Sequence, residues 1–347
     1  MVALLPEFDN LRLHRGDDGA CGFFAGAKAR EVGMVRFVVA LALSGLLMSA
    51  PPAQAQRSGV LDSARSAYNT IIVRQHGSQV MLDFVVGRCE FVESMRDLAD
   101  PGALPVEYTR AVTAALAYPA QLNSILELGV GGATTLTYLH RHLPKTRLTG
   151  VEIDEAVIRM AQKHFGLQTD SRLQIAVEDG RSYLARDTAR HDLIVVDAYR
   201  GTWVPETLTS VEFFQLVKAR LAPGGAVAQN VEPTTLFYDG LAATLAQVFD
   251  HVDAYPTAEA GAPSNVVLVA YDGPQRSRQA LLRRAEALQQ NHRFHHPLPA
   301  LVAGGAPARY QPGAKPFRDD QSAANAALMI DRANASDTPR ARKERCE

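Results

Sequence analysis

The sequence predicts an α/β fold: a doubly wound, mostly parallel sheet of seven strands, preceded by a small N-terminal β-hairpin unit. Three observations predict it. From residue 124 onward, short apolar runs alternate with stretches of helical spacing. The apolar runs are nearly continuous rather than alternating, as expected for parallel strands covered on both faces. The last two runs, HVDAYPT and NVVLVAY, are joined by only a short turn, which places an antiparallel strand at one edge.

Taken in order, residues 1–56 read as an extension and a leader. The stretch MVRFVVALALSGLLMSAPPAQAQ, residues 34–56, has a basic start at Arg36, an apolar run from Val38 to Ala50 and a small-x-small site at Ala53 to Ala55. That is the layout of a secretory signal peptide with Met34 as the start, and the run is short for a bilayer span. An N-terminal buried helix is the competing reading. Export implies a periplasmic or secreted protein, with a cytoplasmic location as the alternative. No second apolar run of membrane length follows, so no stable membrane span is expected.

Residues 57–100 form the β-unit, in which TIIVRQ and QVMLDFVVGRCEFVES are separated by the turn signal HGS. DLADPGALP is a linker and VEYTRAVTAALAY has helical spacing. The sheet domain, 101–273, then runs through SILELG, RLTGVEID, LQIAVED, HDLIVVDAY and GAVAQNV, each followed by a helix, to the closing strand pair. Residues 274–331 hold a surface helix near 275–291 and the loop AGGAPARYQPGAKP; the charged 332–347 segment is expected to be disordered.

A net charge of -1 leaves no basic excess for phosphates, so no nucleic-acid partner is expected. Cys21, Cys89 and Cys346 have neither metal-ligand spacing nor a disulfide framework, and Cys89 reads as an inert core thiol. His292, His295 and His296 cluster in NHRFHH without an acidic or cysteine partner at ligand spacing, so no metal is expected. His140 and His142 flank a helix end, where a cation meets the dipole favourably.

The chemistry concentrates at the strand ends. In ILELGVGGATTLTYLH, Gly129, Gly131 and Gly132 sit between a strand and a helix N-terminus, where backbone can approach a ligand closely. Glu152 closes the next strand about 20 residues further on, placed to accept hydrogen bonds from ribose hydroxyls. The string G-V-G-G-A-T lacks the third glycine of a dinucleotide loop, and there is no Walker lysine. Asp179 and Gly180 of EDGRSYL close the third strand, with Asp179 placed for an adenine amino group or as a helix N-cap. An adenosyl sulfonium, S-adenosylmethionine or its decarboxylated form, fits this pattern better than a nicotinamide dinucleotide.

Four stretches, VEIDEAVIRMAQKHF, VEDGRSYL, DLIVVDAY and LTSVEFFQLVKARLAPGG, resemble the spermidine synthase family of polyamine aminopropyltransferases, which have a Rossmann-like, class I methyltransferase-like fold. The likeness runs from about residue 66 to 231. It extends into the β-unit, where SAYNTIIV resembles that family's Ser-x-Tyr-Gln strand and LDFVVGRCEFVE its hairpin, with Glu90 and Glu93 in step. The resemblance implies decarboxylated S-adenosylmethionine as donor, a small-molecule amine as acceptor, and a homodimer. It implies that Asp197 of VVDAY takes the proton of the acceptor amine, a sensible place beside a strand-end crevice. Tyr108 matches a tyrosine lining the acceptor pocket, and Asn69 stands for the strand glutamine. The family's amine-gripping loop aspartate is Gly132 here, and Arg200 replaces a second aspartate. Arg200 suits an anionic partner such as the carboxylate of intact S-adenosylmethionine. Asp319 and Asp320 fall where related sequences carry an acidic pair, or serve as an N-cap; Trp203 lies in the loop after Asp197. Two alternatives stand beside the aminopropyltransferase: an S-adenosylmethionine-dependent methyltransferase, and a non-catalytic exported binding protein.

Overall fold

The computed structural model describes residues 58–86, 89–199, 204–231, 235–259 and 262–321. The leader, Arg200, Trp203, the Cys89 side chain, Cys21, Cys346 and the charged tail lie outside the described residues.

The N-terminal unit is larger than the expected hairpin. It is an antiparallel four-stranded meander of β1 (Ser58–Arg65), β2 (Thr70–His76), β3 (Gln79–Val86) and β4 (Cys89–Asp97), paired in chain order. β1 escapes sequence reading because it is an edge strand with mostly exposed side chains, so no apolar alternation marks it. On β2 and β3 the alternation is clear: Ile71, Val73, Val80 and Leu82 are buried.

The second sheet follows α1 (Glu107–Thr113) and has the order β12-β10-β11-β9-β8-β5-β6-β7. Its parallel members are β5 (Ser124–Leu128), β6 (Arg147–Glu152), β7 (Leu173–Val177), β8 (His191–Val196) and β9 (Leu221–Val231). β11 (Ala262–Tyr271) and β10 (His251–Glu259) close the edge antiparallel, as the short turn predicts. Beyond the seven expected strands lies β12 (Ala306–Pro307), a two-residue pairing on β10 inside the segment expected to be loop. Two residues, one of them proline, carry no strand signal.

Between the strands run α2 (Thr134–His142), α3 (Glu155–Met160), α4 (Gly180–Arg186), α5 (Val211–Arg220) and α6 (Thr235–Val248); α7 (Arg278–His292) and α8 (Leu298–Ala303) follow the sheet. Successive residues of β5 face opposite layers. Ile125 packs with Leu136 of α2, Val112 of α1, Leu281 of α7 and Val302 of α8, whereas Leu126 and Leu128 pack with Leu184 of α4, Phe213 of α5 and Leu241 of α6. The expected surface helix α7 is amphipathic and buries Leu281, Ala285 and Leu288. α3 works in two directions: Ile158 joins the sheet core, while Val157 and Met160 pack on Ile71, Val73 and Leu82 of the N-terminal meander. Among the described residues no helix is long and apolar enough to cross a membrane.

Strand order reverses between β5 and β8. The chain moves outward from β5 to β7, then returns to β8 on the other side. Such a switch point opens a crevice at the carboxyl ends of the strands, where ligands bind in open α/β sheets.

Candidate active site

A cavity of about 430 Å³ occupies that crevice. The ends of four parallel strands supply its walls: Gly129 and Gly131 after β5, Glu152 at the end of β6, Asp179 and Gly180 after β7, and Asp197 after β8. The meander adds Asn69, Glu93 and Ser94, and α1 adds Tyr108. Thus every sequence-predicted site residue but two lies on one cavity. Arg200 falls outside the described residues, and Gly132 is not part of the lining.

The glycines of the loop have different tasks. Gly129 has φ +88°, and a Cβ there would lie 2.3 Å from the Asp197 carbonyl oxygen, so only glycine lets β5 and β8 close together at this point. Gly132 faces the meander. Its N–H donates to Ser94 Oγ at 2.8 Å, and an added Cβ would come within 2.7 Å of Phe165 and 2.8 Å of Ser94. The loop position where the resemblance expects a carboxylate is therefore a packing contact.

Glu152 holds the loop in shape. Its Oε2 accepts the Val130 N–H at 3.0 Å and the Gly131 N–H at 3.4 Å, and its Oε1 accepts the Asp154 N–H at 3.0 Å. Burial raises its pKa, against the pull of these amide donors. Each carboxylate oxygen retains acceptor capacity toward the cavity. Asp179 is both N-cap and lining residue: it accepts the Ser182 N–H at 2.8 Å.

Asn69 acts through a neighbour. Buried Asp154 caps α3 at the Ala156 N–H (2.9 Å) and also accepts Ser66 Oγ at 2.5 Å and Asn69 Nδ2 at 3.3 Å. This clasp fastens the β1–β2 turn over the Glu152 end of the cavity. Asp154→Ala removes a cap and two further acceptor contacts, and is expected to cost about 2 kcal/mol in chemical denaturation. Asp154→Asn should recover part of that loss.

Asp197 is the centre of a polar chain. Its Oδ1 accepts Asn230 Nδ2 at 2.8 Å; Asn230 Oδ1 accepts Asn265 Nδ2 at 3.0 Å; Asn265 O accepts Thr257 Oγ1 at 2.7 Å. Burial lifts its pKa to about 7, while hydrogen bonds from Asn230 and Tyr108 pull it down. The Tyr108 hydroxyl is pushed well up, first by burial and then by the charges of Asp197 and Glu93. A buried aspartate that releases its proton near neutrality is suited to general-base work.

Two further acids surround it. Glu127 is 2% exposed on β5, faces the same side of the sheet as Asp197, and has Oε2 without a hydrogen-bond partner; burial first, then Asp197, raises its pKa. The signal for it was a single acid inside the apolar run SILELG. Glu93 is raised to about 8, first by burial and then by Asp197, Asp83 and Glu152. Because the folded form holds its proton more tightly than the unfolded chain, the stability it lends is complete below the ordinary glutamate value of 4.5 and is lost as pH rises to about 8. Glu93→Gln should therefore flatten the fall in melting temperature between pH 5 and pH 8 by about 3 °C.

A sequence model of the spermine/spermidine synthase domain matches residues 110–267, from α1 through β11 and including the cavity residues from Gly129 to Asp197. The polyamine aminopropyltransferase of Vibrio vulnificus is 28% identical over 256 residues, 72% of this chain and 84% of that protein. Over this stretch the chain is similar to the polyamine aminopropyltransferases. The polyamine aminopropyltransferase of Chromobacterium violaceum is similarly related, at 29% over 204 residues covering 58% of this chain and 77% of the relative. In fold, the chain is similar to a probable spermidine synthase of Corynebacterium glutamicum, with a TM-score of 0.56 at 22% identity, over 76% of this chain and 96% of that one. The likeness bears out the mostly parallel α/β sheet with an antiparallel N-terminal unit.

Asp319 and the singled-out histidines have structural partners. Asp319 pairs with Arg181 at 2.5 Å and its N–H donates to Glu212, so it ties the C-terminal segment to α4 rather than capping a helix with its side chain. His296 accepts the Leu104 N–H, His295 pairs with Asp100, and His142 and His292 bond each other's backbone carbonyls. Among the described residues no group of three or more His, Cys, Asp or Glu side chains is placed to hold a metal ion.

Proposed function

We propose that the chain transfers an aminopropyl group from decarboxylated S-adenosylmethionine to a polyamine-type amine, with Asp197 as the base. One observation carries this reading. Four carboxylates, Glu93, Glu152, Asp179 and Asp197, line the cavity, and among its described lining residues there is no lysine, arginine or histidine. Such a cavity favours a sulfonium with a cationic tail and a cationic acceptor, and among its described lining residues the carboxylate of intact S-adenosylmethionine meets no cation. The kinship with aminopropyltransferases supports the same direction.

Glu152 and the Gly129 to Gly131 backbone cradle the ribose side, and Asp179 meets the base. Asp197 binds the protonated acceptor and takes its proton. The freed nitrogen lone pair attacks the carbon beside sulfur, the C–S bond breaks with its electron pair going to sulfur, and a neutral thioether leaves. Tyr108 packs beside Asp197 and confines the acceptor. The leader composition supports export, and the resemblance supports a homodimer; cell fractionation and light scattering test these two points.

The deciding experiment is product analysis by mass spectrometry with decarboxylated and intact S-adenosylmethionine against a panel of diamines. Methylthioadenosine formed from the decarboxylated donor supports the proposal. S-adenosylhomocysteine formed from the intact donor would replace it with a methyltransferase. Turnover of neither would leave a binding protein.

A further inference from the structure

β4 carries an irregularity at the cavity. Leu82 pairs with Ser94 and Asp83 with Val92, so Glu93 is the extra, unpaired residue of a β-bulge. A bulge breaks the alternation of side chains and re-aims them. Here both Glu93 and its neighbour Ser94 line the cavity, which a regular strand would not allow. Tyr108 supports the bulge by a long hydrogen bond, 3.4 Å, from its hydroxyl to the Glu93 carbonyl.

The two bulge residues face the glycine loop with different consequences. Ser94 Oγ is engaged by the Gly132 N–H, and Ser94 Cβ with the Phe165 ring fills the space a side chain at 132 would need. Glu93 Oε1 is buried and has no hydrogen-bond partner. An enclosed carboxylate oxygen without a donor is costly unless a ligand supplies one. The described lining offers no cation of its own.

We propose that Glu93, delivered by the β4 bulge, seats the ammonium group of the donor's aminopropyl tail, the task that no side chain at Gly132 performs. This rests on the aminopropyl-transfer reading and names the residue that makes the site select a cationic donor. Asp197 then remains for the acceptor amine. Asp83 adds no second seat, because it is engaged by Arg74 at 2.6 Å.

The test is calorimetric binding of decarboxylated S-adenosylmethionine and of methylthioadenosine, which lacks the aminopropyl tail, to the wild-type chain and to Glu93→Gln. The expected result is a loss of at least about tenfold in affinity for the donor, with methylthioadenosine unchanged within about twofold. A second readout separates charge recognition from shape. Glu93 holds a proton up to about pH 8, raised by burial and by Asp197, Asp83 and Glu152 around it. Donor binding at pH 7 should therefore release protons, seen as a buffer-dependent enthalpy, and Glu93→Gln should abolish the release. Equal affinity of variant and wild type for the donor would overturn the proposal. So would equal weakening of both ligands, which would make Glu93 a wall residue. If the wild type binds methylthioadenosine but prefers the intact donor, the transfer reading fails first and Glu93 loses its assigned partner with it. If the wild type binds no adenosyl compound, both proposals fall together.

Discussion

Asp197→Asn is expected to lower turnover about 10³-fold, the range lost when a positioned general base is removed. The substitution keeps the shape of the side chain, and its amide oxygen can still accept from Asn230 Nδ2, now at 2.8 Å. Donor affinity should therefore change little, so the defect appears in kcat rather than in donor binding. The pH profile gives a second check. Asp197 must be ionised to take a proton, and its pKa is about 7. In the wild type kcat, measured at saturating donor so that Glu93 is already ionised against it, should rise with pH through about 7 and level off above it. The variant has no carboxyl group to ionise at this position, so the limb should vanish. Steady-state kinetics between pH 5 and pH 9 decide the matter. A variant with an unchanged limb would assign the base elsewhere in the cavity.

The second large effect belongs to Gly129. Gly129→Ala places a Cβ 2.3 Å from the Asp197 carbonyl oxygen and 2.6 Å from Ala198 Cα, in a left-handed backbone conformation. Neither neighbour is a flexible side-chain end; both are backbone at the carboxyl end of β8. The loop and the strand end must separate, with an expected cost of about 3 kcal/mol. That separation also spoils the cradle and moves the base, so donor binding should be lost before folding is. Gly180→Ala is the matched control. Its Cβ meets nothing closer than Leu128 at 3.6 Å, and the position opens a helix, so stability should stay within about 0.5 kcal/mol. Thermal denaturation and donor titration of the two variants provide the comparison.

The sheet was readable because its evidence is local. Apolar runs such as LIVV and AVAQNV, each ending at a polar residue, mark both the strand and the point where chemistry begins. Glu152, Asp179 and Asp197 stand at such ends, and all three line the same cavity. What escaped reading depends on partners distant in the chain. The β1 edge strand buries little, so its sequence has no periodicity to notice. The bulge at Glu93 is a mismatch between two strands and has no signature in either alone. Gly132 looked like a ligand-facing glycine because its true neighbours, Ser94 and Phe165, come from another sheet and from the segment after α3. Arg181 and Asp319 are 138 residues apart, and only the fold shows how Asp319 ties the chain down.

The amide chain behind Asp197 has a stereochemical consequence. Asn265 donates to Asn230 Oδ1, which compels the Asn230 amide to present its NH₂ to Asp197 Oδ1. An oxygen already receiving a hydrogen bond from a fixed donor is the poorer place for a proton. The two carboxylate oxygens are thereby made inequivalent. The β8–β9–β11 register thus orients the Asp197 carboxyl through two asparagines that never exchange a proton themselves.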